Sequence, residues 1–270
     1  SWGLNSDGQC GILDNDFIQK PTEIIIPELE KEEIINNIIC GNKSTYFLSN
    51  KNKVYLCGYN ILTKQKYHSP KRVKFSFEKE LIVQIQLGEK FCLFLTKFGN
   101  VYSVGEEESF RLGLGDEDFD NNEEPKDKED ETNEIEPKQV LNIMNIQLIS
   151  CGYNHCFAVA KNNIVFCWGL NNMGQLGLNN IGEIQDSEEN IIFIPKKLIL
   201  NHEINNIICG KDFTVFHTEK DEILVCGNNE EYQLGIGKEV NSKIREKNNI
   251  SKPTKVDQFY NLEILKVACG

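Results

Sequence analysis

Residues 106–136 hold the densest run of ligand-capable oxygens in the chain, with 15 Asp and Glu against 3 Lys and Arg. Asp116, Asp118 and Asp120 stand at alternate positions and Asp127 follows. The first half of a calcium-binding loop presents its carboxylates in this way. The match then ends, because Asn121 stands where that loop turns on a glycine and Asp127 replaces its closing glutamate. The run therefore reads as a solvated, disordered acidic insertion. Its four aspartates are candidates for holding a basic partner, and no metal is expected. Ten cysteines invite a zinc or disulfide reading, but no Cys-x-x-Cys pair occurs. They read as buried, unpaired thiols, which suits a reducing intracellular compartment, cytoplasm or nucleus. His68, His155, His202 and His217 are scattered, and His155 reads as structural. The glycine-rich turns lack the Lys-Ser/Thr of a phosphate loop. With no nucleophile elbow, no His-Glu-x-x-His and no kinase signature, no residue is assigned to catalysis and no cofactor is expected.

The elements that position these residues recur. Gly3, Gly58, Gly105, Gly169 and Gly227 open turns such as WGLNNMGQLG at 168–177. Gly41, Gly88, Gly152, Gly210 and Gly270 close a second landmark, usually Cys-Gly, that keeps nearly the same beat. Cys40, Cys151, Cys209 and Cys269 share one place in this repeat, and Cys57 and Cys226 share another that Trp168 fills in the fourth unit. Pro21, Pro70, Pro137, Pro195 and Pro253 recur as well, and each reads as the first residue of a strand, where it breaks no ladder bond. Between the landmarks lie paired runs such as HCFAVA and IVFCWG, split by three or four polar residues, which predict hairpins. Helical periodicity is weak, and its best stretch, 28–39, also leads into a strand. About four strands per unit cannot close a core alone, and radial packing of such sheets predicts an all-β propeller of four-stranded blades.

The order of the WGLNNMGQLG turn, the CGYNHCFAV string and the Pro-led strand resembles the regulator-of-chromosome-condensation repeat family. The resemblance covers 1–270 apart from the insertion. It is degraded in the second unit, where YNILTKQKY replaces the turn, and in the third, where EEESFRLG keeps only its second half. It implies a seven-bladed propeller, of which five repeat units are present. The chain starts at Ser1 and stops inside a landmark, so it is expected to be one truncated propeller domain cut from a longer protein.

The resemblance also implies a protein partner. One reading is guanine-nucleotide exchange on a small, Ran-like GTPase. The alternative is a non-catalytic interaction or scaffold module of a larger protein, such as a HECT-type ubiquitin ligase. Charge bears on both. The net charge is −12, which disfavours anionic partners such as nucleic acid or a membrane leaflet. Residues 106–136 carry that whole excess, however, so the remaining body is balanced and could present a basic face to nucleic acid. No apolar run is long enough to cross a membrane.

Overall fold

The computed structural model describes residues 1–13, 16–77, 79–106, 111–115, 135–179, 190–236, 249–259 and 262–269. Asp116, Asp118, Asp120, Asp127 and Gly270 lie outside these residues, as does most of 106–136.

The fold is a β-propeller. A two-stranded sheet pairs β1 (Gly3–Leu4) with β2 (Phe17–Ile18). Four four-stranded blades follow. Blade A holds β3 (Ile35–Cys40), β4 (Ser44–Ser49), β5 (Val54–Asn60) and β6 (Gln65–Val73). Blade B holds β7 (Ile82–Leu87), β8 (Phe91–Thr96), β9 (Val101–Gly105) and β10 (Lys138–Gln139). Blade C holds β11 (Ile146–Cys151), β12 (His155–Ala160), β13 (Val165–Leu170) and β14 (Ile191–Leu198). Blade D holds β15 (Ile204–Cys209), β16 (Phe213–Thr218), β17 (Ile223–Gly227) and β18 (Ile250–Lys255). Every blade is an antiparallel meander in chain order. The first strands of neighbouring blades touch, β3 with β7, β7 with β11 and β11 with β15, which sets them around the propeller axis.

The second strands are buried on both faces, so they read as unbroken apolar runs rather than alternating ones. Phe94 packs with Tyr46 and Leu56 between blades A and B. Leu93 packs with Ile149 and Trp168 between B and C. Phe157 meets Phe216 edge to face between C and D, with ring centroids 5.4 Å apart. Each such side chain contributes about 1.5–3 kcal/mol by burial, so the blade interfaces are the core.

The prolines differ from their sequence expectation. Pro70, Pro195 and Pro253 lie inside the fourth strands, not at their first residues. The ladder runs Cys167↔Lys196 and then Gly169↔Ile192, leaving Pro195 in a bulge. Pro70 and Pro253 occupy the same bulge in blades A and D. An edge-strand bulge needs no ladder donor there. β1 and β2 share the register of third and fourth strands, because Gly3↔Ile18 matches Gly169↔Ile192. Residues 28–34 are not helical, and β3 starts at Ile35. Asp257–Phe259 form a 3-10 turn, and among the described residues no helix is long and apolar enough to cross a membrane.

Candidate partner-binding face

The up-and-down meander puts the ends of the first and third strands on one face, here the upper face. Its inner part is made by the turns between first and second strands. The Glu89 amide donates to the Tyr153 carbonyl (3.1 Å), and the Tyr153 amide donates to the Lys211 carbonyl (3.1 Å), which ties the turns of blades B, C and D into a rim. The Lys211 ammonium lies 5.2 Å from the centre of the Tyr153 ring. A hydrogen bond to Glu89, with some burial, raises the Tyr153 pKa. Burial also raises the Asp212 pKa, Lys211 opposes the shift, and Glu89 adds to it. The rim thus holds Glu89, Tyr153, Lys211 and Asp212 in fixed relation.

The landmark glycines explain the rim. Gly88, Gly152 and Gly210 each precede by three residues the first residue of the second strand, Phe91, His155 and Phe213. A Cβ on any of the three would strike that residue's ring. Gly105, Gly169 and Gly227 pair across the ladder with the same three residues. A Cβ on Gly169 would sit 2.5 Å from the Asn154 carbonyl. The two landmarks keep one beat because they close on one residue from two sides. In blade A that residue is Ser44, paired with Gly58, and Gly41 packs instead against Leu87 of blade B.

The loops after the third strands clamp the next blade. The Gln175 carbonyl accepts from Thr214 (2.8 Å) and from the Cys226 thiol (3.4 Å). Gln9 does the same for Thr45 and Cys57, and Arg111 for Trp168 (2.8 Å) and Cys156. Gly8 and Gly174, at φ 84° and 79°, let these loops lie on the neighbouring fourth strand. Sequence reading missed the residues that fold the loops. Asn5, Asn171 and Asn229 are buried, and their side-chain carbonyls accept the amides of Cys10, Leu176 and Leu234 at 2.9–3.1 Å. Asn60 does this for Leu62 in the shortened second loop. The signal was present, since each asparagine stands two residues after its landmark glycine.

Between blades A and B this face opens a cleft of about 400 Å³ lined by Lys43, Tyr46, Tyr59, Lys66, Glu89 and Lys90 among others. Ion pairs Asp7–Lys66 (2.8 Å) and Lys90–Glu106 (2.9 Å) edge it. Seven of the ten cysteines are buried, Cys209 and Cys269 are half-buried, and all are free thiols. Cys40 departs from the expectation and is exposed on β3, which has a neighbouring first strand on one side only among the described residues. Among the described residues no three His, Cys, Asp or Glu side chains gather as a metal site. This face presents charged side chains, aromatic rings and a cleft.

Meander blades locked by loop-to-blade clamps define a repeat β-propeller. The chain belongs to the RCC1-like domain family, which it matches over residues 1–270. It is 26% identical over 247 residues to guanine nucleotide exchange factor SRM1 of Saccharomyces cerevisiae, covering 87% of this chain and 48% of that protein. It is 29% identical over 180 residues to mouse serine/threonine-protein kinase Nek9 (64% of this chain, 16% of the kinase). It is 25% identical over 283 aligned positions to human E3 ubiquitin-protein ligase HERC2 (100% of this chain, 5% of the ligase). The chain thus spans less than half of each of these relatives. The crystal structure of Prp20p from Saccharomyces cerevisiae shares the fold, with a TM-score of 0.79 at 23% identity over 100% of this chain and 62% of that one. Human WBSCR16 shares it with a TM-score of 0.71 at 20% identity over 100% of this chain and 64% of that one.

Proposed function

We propose that the chain is a regulatory protein-binding propeller whose upper face engages a small GTPase and speeds release of its nucleotide. The observation that carries this reading is the hydrogen-bonded rim of Glu89, Tyr153, Lys211 and Asp212. A rigid charged rim can bind one conformation of a partner better than another, and an exchange factor needs only that difference. Similarity to SRM1 over 87% of the chain supports the choice of partner. The five repeat units then form part of a seven-bladed ring inside a cell, in nucleus or cytoplasm, where free thiols persist. The acidic segment leaves the upper face after β9, and its far end is tied where the Ile135 amide donates to the Leu62 carbonyl (3.0 Å). Asp116, Asp118, Asp120 and Asp127 there serve as a tether for a basic partner.

A second reading rests on Nek9 and HERC2, of which the chain spans 16% and 5%. Here the same rim docks another protein for a neighbouring domain, with no exchange. One experiment separates the two. The full propeller that contains this chain is mixed with Ran-like and other small GTPases loaded with fluorescent GDP. Exchange predicts release faster than the spontaneous rate and slowed again by Lys211→Glu. Release at the spontaneous rate across the panel leaves the scaffold reading.

A further inference from the structure

The opposite, lower face is made by the turns between second and third strands and by the segments leading into each first strand. Four copies of this arrangement act as controls for one another. Asn52, Gly99, Asn163 and Asp221 hold the equivalent positive-φ place in the four turns. Each turn is tied to its own blade: the amides of Asn50, Lys97, Lys161 and Glu219 donate to the carbonyls of Ile34, Leu81, Asn145 and Glu203 at 2.7–2.9 Å. The turns of blades A, B and C are also tied onward to the next blade. The Ile82 amide donates to the Asn52 side chain (2.8 Å), the Ile146 amide to the Gly99 carbonyl (3.1 Å) and the Ile204 amide to the Asn163 side chain (3.1 Å). The lower face is therefore a continuous, hydrogen-bonded arc.

One blade breaks the pattern of side chains on that arc. The residue before the positive-φ position is Lys51, Asn162 and Lys220 in blades A, C and D, but Phe98 in blade B. Phe98 is 69% exposed. It stands between Lys97, whose amide reaches Leu81, and Gly99, which abuts Asn145. Leu81 is 48% exposed, and Met144, next to Asn145, is 71% exposed. The turn itself does not call for apolar side chains, since polar residues build the same turn elsewhere. Large exposed apolar groups placed together mark a contact surface. Lys79, Lys97 and Lys161 are exposed beside them. The Glu80 carboxylate accepts from Asn100 and from Tyr102 (3.0 Å). On the far side, blade D, Glu203 and Glu219 are exposed, whereas Asp221 pairs with His217 (2.9 Å) and Glu222 with Lys255 (2.6 Å).

We propose that the lower face of blades B and C docks an extended peptide of another protein, in which large apolar side chains are flanked by Asp or Glu. Phe98, Leu81 and Met144 supply the contact area. The three lysines attract acidic flanks and Glu203 and Glu219 of blade D repel them, so charge sets which way the peptide lies. This site shares no residue with the upper rim and stands whether or not the chain exchanges nucleotide.

The test is fluorescence anisotropy with three labelled synthetic peptides: an acidic peptide carrying two phenylalanines, its copy with lysines for the acids, and its copy with serines for the phenylalanines. The first is expected to bind and the other two to bind at least about tenfold more weakly. Phe98→Ser, Met144→Ser and Lys97→Glu should each weaken binding by about tenfold. Lys252→Glu, on the outer strand β18, should not. Unchanged melting temperatures show that the variants are folded. The proposal is overturned by absence of binding, by equal binding of the three peptides, by indifference to Phe98→Ser and Met144→Ser, or by competition from a DNA duplex. Sedimentation showing a dimer that Phe98→Ser dissolves would assign the patch to a second copy of this chain and overturn it too.

Discussion

His155 of blade C lies 2.9 Å from Thr214 of blade D, imidazole Nε2 to hydroxyl Oγ1. Thr214 donates its one hydroxyl proton to the Gln175 carbonyl, so it must accept from His155, which fixes the neutral Nε2–H form of the ring. The contact joins the second strand of one blade, the second strand of the next and the loop that clamps them. Burial drives the His155 pKa from 6.5 down to about 3. A group depressed in this way binds fewer protons folded than unfolded. Its contribution to stability is complete above pH 6.5 and is lost as pH falls toward 3. Urea midpoints should therefore decline already between pH 6.5 and 5. His155→Gln keeps a donor but does not titrate. It should cost roughly 1 kcal/mol at pH 7 and flatten that decline. An equally steep decline in the variant would exclude His155 as its source.

Gly210→Ala is expected to lose about 1–3 kcal/mol through overpacking, because the new methyl would strike the Phe213 ring. The loss should depend on the ring. Phe213→Leu alone is destabilising, but the double variant should be more stable than the sum of the two losses, with a coupling of roughly 0.5–3 kcal/mol. Gly41→Ala meets only the flexible Leu87 side chain, at 2.9 Å, and should be milder. Denaturant melts of the four variants decide the matter, and strict additivity would refute the contact.

These contacts show what the sequence could and could not reveal. The two glycine landmarks were legible because Phe91, His155 and Phe213 each need a missing Cβ on both sides. The hairpins were legible because the second strands are buried on both faces. The prolines were misread, since Pro70 and Pro195 sit in bulges that depend on strand pairing and leave no local mark. Cys40 was misread because its repeat position is buried only where neighbouring blades cover it. The lower-face patch left no motif at all, since Leu81, Phe98 and Met144 are far apart in the chain and meet only through turns of two blades.

Glu33 and Tyr55 supply a prediction about acid. Tyr55 donates to the Glu33 carboxylate at 3.0 Å, Lys53 at 3.2 Å and the Glu30 amide at 3.2 Å. Burial pushes the Glu33 pKa up, but hydrogen bonds from Ser49, the Glu30 amide, Lys53 and Tyr55 outweigh it and bring the value to about 2. This contribution is complete above pH 4.5 and is lost as pH falls from 4.5 to 2, below the range in which His155 first acts. Tyr55→Phe should cost about 1.5–3 kcal/mol at pH 7 and shrink the acid-sensitive step between pH 4.5 and 2. Blade B repeats the pair as Glu80 and Tyr102, whereas blade C has Met144 and Phe166. Tyr102→Phe should act less, because both Glu80 and Tyr102 are only half-buried. Equal losses at the two sites would show that burial does not set the strength of this bond.

Thiol chemistry should separate one cysteine from the other nine. Cys40 is exposed, whereas Cys57, Cys92 and Cys167 are buried and their pKa values are pushed up to about 12. Cys209, half-buried, is raised to the same value, again mainly by burial. The thiolate is the reacting form, so these groups are protected twice, by access and by charge. Native protein treated with a disulfide reagent at pH 8 should release one equivalent of chromophore quickly. The remaining nine should react only at the rate of blade opening or after denaturation. Cys40→Ser should abolish the fast phase and leave the slow one. A fast phase that survives the substitution would mean that a blade interface opens readily enough to expose a second thiol. The half-buried Cys209 and Cys269, which sit at the same repeat position, would be the first to examine.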